Sequence, residues 1–237
     1  MRRPTQLPSL VVYDEVEPCP YLRGRTARMP MSVPLRAMER GELDDLLAAG
    51  CRRMGEMYYH LECPACQQCE AFRILVEEHT PARGARRVLA RGNRELSMEI
   101  GEPTVDAARV ELYNLHKRGR DLDPGYGPTT PAAYRSFLVD TCCETIEIRY
   151  FHERRLIAVA VADRGETSMS AVYCYFDPRF SRLSPGTYSI LKQLELCRLW
   201  GLKHLYLGFY IAEPCKMTYK VRFRPHERLI GGRWLRG

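Results

Sequence analysis

Four cysteines and a group of arginines carry the chemistry that stands out in this sequence. Cys63, Cys66 and Cys69 lie in ECPACQQCE with two residues between each, and Cys19 lies upstream in PCPY. That spacing lets thiolates converge on one metal, an iron–sulfur cluster or zinc, with Cys19 as a fourth ligand; the alternative is a metal-free turn of free or buried thiols. Arg73 sits inside the apolar run from Ala71 to Val76, where a cation needs a partner, either an acidic ligand or a structural carboxylate. Arg25 and Arg28 flank Thr26, a spacing that suits phosphate or carboxylate contacts by planar guanidinium forks, or a solvated basic loop. Arg83, Arg86, Arg87, Arg91 and Arg94 make residues 80–96 the most basic stretch, and the best candidate for contact with a phosphate backbone.

The elements that must position these groups are legible from periodicity. Leu156 to Ala162 and Ser170 to Phe176 are apolar runs separated by a polar turn, which predicts a hairpin of half-buried strands. Ser184 suits an N-cap and Pro185 a first helical position, and Ile190, Leu194 and Cys197 then recur at helical spacing until Gly201. A strand from His204 to Phe209 follows. Strand, strand, helix, strand is the half-fold that acetyltransferase-like (GNAT) enzymes use to hold an acyl donor. Free N–H groups and the positive end of the dipole at that helix start favour an anion over Gly186, with Arg179 and Arg182 adding charge; otherwise Gly186 only permits a tight turn.

Upstream, a helix is predicted over 40–49 with Leu43, Leu46 and Leu47 apolar and Gly50 as its stop, then an extended segment from Cys51 to His60. Met98 and Ile100 predict a strand. Thr104 is expected to cap a helix that buries Val105, Ala108, Leu112 and Leu115. The Gly- and Pro-rich loop 121–130 separates it from a helix starting at Thr130 and Pro131, and a strand runs from Glu144 to Phe151. The expected fold is α+β, an acetyltransferase-like (GNAT-like) mixed sheet flanked by helices. Residues 1–102 form a smaller N-terminal part with the cysteine cluster and basic segment, and residues 103–237 the GNAT-like transfer domain.

The 237 residues include 36 Lys and Arg and carry a net charge of +7, a surface compatible with a phosphate-bearing partner but not diagnostic of one. Hydrophobic and charged contents of 45% and 27% are ordinary for a globular chain that needs no staples. No apolar run is long enough to span a bilayer and no signal peptide is evident, so a cytoplasmic location without membrane partners is expected. The ten cysteines are then expected to be reduced, metal-bound or buried rather than paired.

Several stretches together resemble a known family, the aminoacyl-tRNA–protein transferases, which add arginyl or leucyl groups to protein N-termini. They are Cys19 to Arg28, Arg52-Arg53-Met54-Gly55 with Tyr59, and Arg86-Arg87-Val88-Leu89. Further on come Ser170-Ala171-Val172-Tyr173, Phe176-Asp177-Pro178, Ser184 to Leu191, Tyr206 to Ile211, and Lys216-Met217-Thr218-Tyr219-Lys220. The resemblance runs from about Cys19 to Trp234, with Met54 standing where the family has serine. It implies transfer of Leu, favoured by the short chain, or Arg from aminoacyl-tRNA to proteins beginning with Asp or Glu, creating an N-degron for proteolysis.

Under that resemblance Asp163 and Tyr210 are the expected catalytic residues, Asp163 orienting or deprotonating the attacking amine. Arg52, Arg53 and Arg73 are expected to bind the acidic N-terminus. Arg25, Arg86, Arg87, Arg182, Gly186, Tyr206, Lys216, Tyr219 and Lys220 are expected to bind tRNA, the tyrosines by stacking on the terminal adenosine and the lysines by neutralising phosphates. Cys19, Cys63, Cys66 and Cys69 correspond to a region in which eukaryotic relatives carry an iron–sulfur cluster. The ester donor is already activated, so no cofactor is required for transfer, and a monomer suffices. Two rivals differ in class: a CoA-dependent GNAT N-acetyltransferase, disfavoured because Arg182 to Thr187 lacks the full glycine-rich phosphate loop, and a non-enzymatic basic RNA-binding module.

Overall fold

Alternation along one strand sets the layers. In Arg155–Arg164, Ala158, Ala160 and Ala162 face one side and Val159 and Val161 the other, and all five are fully buried, so this strand is covered on both faces. The computed structural model describes residues 7–122, 125, 127–212 and 215–237, the side chains of residues 215 and 216 excepted.

The N-terminal strands are β1 (Ser9–Tyr13), β2 (Val16–Pro18), β3 (Thr26–Arg28) and β4 (Met31–Pro34), followed by α1 (Arg40–Ala48), β5 (Arg52–Met54), β6 (Met57–Tyr59) and β7 (Glu70–Leu75). Next come α2 (Arg83–Glu95), β8 (Ser97–Gly101), α3 (Ala107–Gly119) and α4 (Pro131–Tyr134). The C-terminal half is β9 (Thr145–His152), β10 (Arg155–Arg164), β11 (Ser168–Phe176), α5 (Pro185–Leu199), β12 (His204–Tyr210), β13 (His226–Ile230) and β14 (Arg233–Arg236). Pro178–Leu183 and Cys215–Arg222 are 3₁₀ segments.

Eight strands form one sheet in the order β14-β13-β7-β12-β11-β10-β9-β8. Only β11 and β12 pair in parallel, as the α5 crossover between them requires, and the other pairs are antiparallel. One face packs Phe72, Ile74 and the β10 alanines against Leu191, Leu194 and Cys197 of α5. The other packs Val159, Val161 and Tyr175 against Val110, Leu112 and Tyr113 of α3 and Tyr134 of α4. This is the expected acetyltransferase-like mixed sheet flanked by helices. A four-stranded sheet, β1-β4-β6-β5, lies beside it, and α1 buries Leu43 and Leu47 with Cys142, Cys143 and Tyr206.

Both sides of the 102/103 division contribute to one sheet, since β7 lies in its interior between β13 and β12 and β8 forms its edge beside β9. Expectations about helix caps and faces are corrected. Helix α3 is capped by Asp106, whose carboxylate accepts from the Arg109 N–H, rather than by Thr104. Its buried face is Arg109, Val110, Leu112, Tyr113 and His116, because Arg109 finds Glu147 on β9 at 2.6 Å and His116 bonds the Phe176 backbone. Ser184 precedes α5 as expected but makes no side-chain cap, since its backbone is left-handed with φ 52°.

Helix α2 meets α5 through Gly92, where an added Cβ would stand 2.3 Å from the buried Tyr188 ring. Gly92→Val should lower unfolding stability by about 1–3 kcal/mol by overpacking, read from urea midpoints. An unchanged midpoint would show that the two helices are not held at this contact.

Candidate active site

The parallel ladder between β11 and β12 ends early. Ser168, Met169 and Ser170 pair with His204, Leu205 and Tyr206, and beyond that both strands run on without pairing to each other. On the far side of β12 the register with β7 shifts between Tyr206 and Phe209, with Gly208 in the left-handed region at φ 78°. Diverging strands expose main-chain groups to which an extended substrate can bond.

Arg52 fills the head of this cleft. It reaches from β5, donating to Ser170 Oγ at 2.9 Å and to the Ala171 carbonyl at 3.0 Å. A Cβ on Gly208 would come within 3.4 Å of its guanidinium, so glycine there permits the approach. No carboxylate lies within ion-pair distance of Arg52 among the described residues, and burial opposes its charge. Tyr59 and Tyr21 stand beside it; burial raises both phenols, Tyr21 to about 12, so they remain neutral. Tyr59 also packs on Phe209, with ring centroids 6.3 Å apart.

Arg53, the next residue, points to the opposite face of β5, as strand alternation demands. Its side chain is 2% exposed and bonds Asp163, 1% exposed, at 2.8 Å. The second oxygen of Asp163 accepts from the Thr145 hydroxyl at 2.8 Å, and Arg53 also donates to the Gly55 carbonyl. The structure therefore places the expected general base and one expected substrate arginine inside a buried ion pair, away from solvent. Arg73 is similarly committed: it bonds Glu227 at 2.6 Å and the Tyr206 hydroxyl at 3.1 Å, and its guanidinium stacks 4.1 Å over Trp234. Of the three arginines, only Arg52 is left to meet an acidic ligand.

The expected tyrosines and lysines separate in the same way. Tyr206 is 3% exposed against Trp234 and Arg73, so its ring faces are already covered. Tyr210 ends β12 under the Arg228 guanidinium, 5.2 Å from its ring. Tyr219 is 41% exposed and available for stacking. Lys220 is not on a phosphate-facing surface: it is 6% exposed, and its amine donates to the Phe209 carbonyl in the cleft. Burial, and then the Arg52 guanidinium, push it down to about 7. The Lys216 side chain lies outside the described residues.

Comparison with known proteins identifies this arrangement. A family model described as the N terminus of arginine-tRNA-protein transferase matches residues 17–87, and one for its C terminus matches residues 108–230. The chain belongs to the arginine-tRNA–protein transferase family. An aspartate/glutamate leucyltransferase from Hahella chejuensis is 34% identical over 232 residues, covering 98% of this chain and 99% of that one. Another of the same name from Acinetobacter baumannii is 33% identical over 220 residues, covering 92% and 80%. Among solved structures, the C-terminal domain of a protein assigned as a lysylphosphatidylglycerol synthetase from Agrobacterium fabrum aligns with TM-score 0.53 at 14% identity, over 82% of this chain and 62% of that one. That last likeness concerns the fold.

The arginine-rich surface of this family member lies along α2, where Arg83, Arg86, Arg87 and Arg94 are exposed. Arg91 donates to the Arg182 carbonyl, which ties the helix to the segment leading into α5. The arginines expected to help Gly186 bind phosphate are paired instead, Arg182 with Glu95 at 2.7 Å and Arg179 with Asp177 at 2.7 Å. Arg25 is exposed on the N-terminal part. The transferase also holds Cys19, Cys63, Cys66 and Cys69 as half-buried free thiols beside Tyr21 and Tyr59. Burial, and then the other three, raise Cys69 to about 12, so the four are neighbours. No group of three or more His, Cys, Asp or Glu side chains is arranged to hold a metal ion among the described residues. These four thiols are the candidates the sequence offered for an iron–sulfur cluster or zinc, and no step is assigned to either.

Tyr21, Tyr59, Ser170 and Gly208 belong to the site although sequence reasoning assigned them no role. Their signal is present, since all four fall within the family-like motifs.

Removing one member of the Arg53–Asp163 pair leaves a charge buried alone. Asp163→Leu should therefore cost about 3–5 kcal/mol in unfolding stability, and adding Arg53→Met should recover most of it. Urea unfolding of both variants checks this, and equal losses in the single and double variants would show that the pair does not couple.

Proposed function

We propose that this transferase moves leucine from leucyl-tRNA to the α-amine of proteins beginning with Asp or Glu, marking them with an N-degron for proteolysis. The observation that carries this reading is Arg52, a part-buried guanidinium without a carboxylate partner among the described residues, at the point where β11 and β12 diverge. A cation partly withdrawn from water and left without an anion is costly, and an acidic side chain relieves the cost. The donor assignment is supported by the near-complete overlap with relatives named aspartate/glutamate leucyltransferase, whereas the family models carry the arginyl name.

The acceptor amine attacks the ester carbonyl that joins the amino acid to its tRNA. An amide bond forms, the carbon–oxygen ester bond breaks and the ribose hydroxyl leaves. Holding both substrates in one cleft supplies much of the catalysis. Arg52 aligns the acceptor by its side-chain carboxylate, Tyr219 offers an exposed face for a terminal base, and α2 offers cations to the tRNA backbone. No helix among the described residues is long and apolar enough to cross a membrane. The proposal includes action as a monomer in the cytoplasm, where charged tRNA is made.

Transfer of labelled amino acid from leucyl- and arginyl-tRNA to reporters beginning with Asp, Glu or Ala tests the reading. Leucine should pass to the acidic reporters alone, and transfer of arginine only, or of neither, would overturn it. Arg52→Gln should lower kcat/KM on acidic reporters roughly 100-fold, about 2.7 kcal/mol, while the poor rate on the Ala reporter stays unchanged. Retained discrimination would remove Arg52 from acceptor recognition.

Reversing charge on α2 should act on the other substrate. Arg86→Glu with Arg87→Glu should raise KM for tRNA and reduce its salt dependence by about two units of log–log slope, with the reporter KM unchanged. An unaltered salt slope would place the tRNA elsewhere.

A further inference from the structure

Lys220 sits where a lysine is least comfortable. It is 6% exposed, its amine donates to the Phe209 carbonyl, and among the described residues the charged group acting on it is another cation, Arg52 from β5. Beside Arg52 stands Tyr59 from β6, whose phenol burial raises, so it supplies no negative charge at neutral pH. Asp163 also acts on Arg52 but is bonded to Arg53 and Thr145. An ammonium here would have three donors, with the Phe209 carbonyl as the partner the structure provides and a like charge beside it. The neutral amine needs fewer donors satisfied and keeps a lone pair.

Resting on the function proposed above, we propose that Lys220 is a catalytic residue of the transfer: its neutral amine takes the proton from the acceptor's α-ammonium and passes it to the departing ribose oxygen. The balance closes. The freed amine forms the C–N bond as the ester C–O bond breaks, and the nitrogen loses two protons on its way from ammonium to amide: one moves to Lys220 and on to the ribose oxygen, the other leaves to solvent as the tetrahedral intermediate collapses, and Lys220 returns to its neutral form. Electrons stay paired throughout, and no further reactant is consumed.

The geometry fits a single acceptor residue. In an N-terminal Asp or Glu, carboxylate and amine are separated by only a few bonds, and the cleft sets a carboxylate-seeking guanidinium beside a proton-seeking amine. Protein N-terminal amines titrate at about 7.7–8.0, and a base near 7, where burial holds Lys220, accepts such a proton at little cost. The phosphate-neutralising role expected from sequence needs an accessible lysine, and this one is buried.

The test is the pH dependence of kcat/KM for leucine transfer to a Glu reporter, for the full chain and for Lys220→Arg, Lys220→Gln and Lys220→Ala, each checked for native circular dichroism. The wild-type rate should fall tenfold per pH unit below about 7. Lys220→Gln and Lys220→Arg should lose about 10²–10⁴-fold, and their break should move to the reporter amine's own titration near 8. Methylamine or ethylamine should restore part of the Lys220→Ala rate in proportion to the free-base concentration. A folded Lys220→Arg near the wild-type rate would replace proton transfer by a purely electrostatic role. A folded Lys220→Ala that keeps the break near 7 and gains nothing from amines would assign the base elsewhere. Wild-type protein inactive with both charged tRNAs overturns the functional reading itself, whereas active wild type with either of those variant results overturns only the role of Lys220.

Discussion

The separation of β11 from β12 after three residue pairs is the constraint on which the rest of the structure depends. The two strands are joined in parallel by α5, which packs over one face of the sheet and sets their spacing at the start of the ladder. Beyond Ser170 and Tyr206 each strand is held from its other side, β11 by β10 and β12 by β7. The gap is therefore rigid on both flanks and open between them. Into it the fold directs one guanidinium and one amine, each bonded to a backbone carbonyl of a diverging strand.

The N-terminal segment is fastened to this frame by polar contacts that cross the whole chain. Arg53 meets Asp163, Arg73 meets Glu227, Arg40 meets Glu144 at 2.6 Å, and Asp44 accepts from Thr167 and Ser168 in the β10–β11 turn. The buried Arg53–Asp163 pair adds little net stability over an apolar packing, but it tolerates only one docking register. That register places Arg52 at the cleft: with Arg53 locked on one face of β5, its neighbour must emerge on the other. The Arg53–Asp163 pair thus aims the arginine proposed to read the acceptor.

Much of the frame was legible from sequence because its signals are local. The β10–β11 hairpin, α5, β12 and the helix starting at Thr130 and Pro131 appear where periodicity and turn residues put them, and the family-like motifs indicate the reaction class. Burial of α3 was less legible, since a 3.6-residue pattern of apolar residues cannot show that Arg109 will be drawn inward by Glu147, 38 positions away. The boundary at 102 falls between the two family-model matches, but sequence alone does not show that β7 pairs with strands more than a hundred residues downstream.

By itself the sequence determined most of the strands and helices, because these follow from residue type and short-range spacing, while its family-like motifs pointed to arginines suited to an acidic substrate; it read β10 as half-buried, and only the packing of α5 and α3 covers both its faces. Only the tertiary structure decided which arginine is available. Arg52, Arg53 and Arg73 are equivalent as residue types, and their difference comes from carboxylates brought in from 110 and 154 positions away. It likewise decided that Lys220 is a buried amine rather than a surface cation, and that Asp163 is an anchor rather than a free base. Charge, pKa and accessibility belong to the surroundings of a side chain, and those surroundings exist only once distant segments have packed.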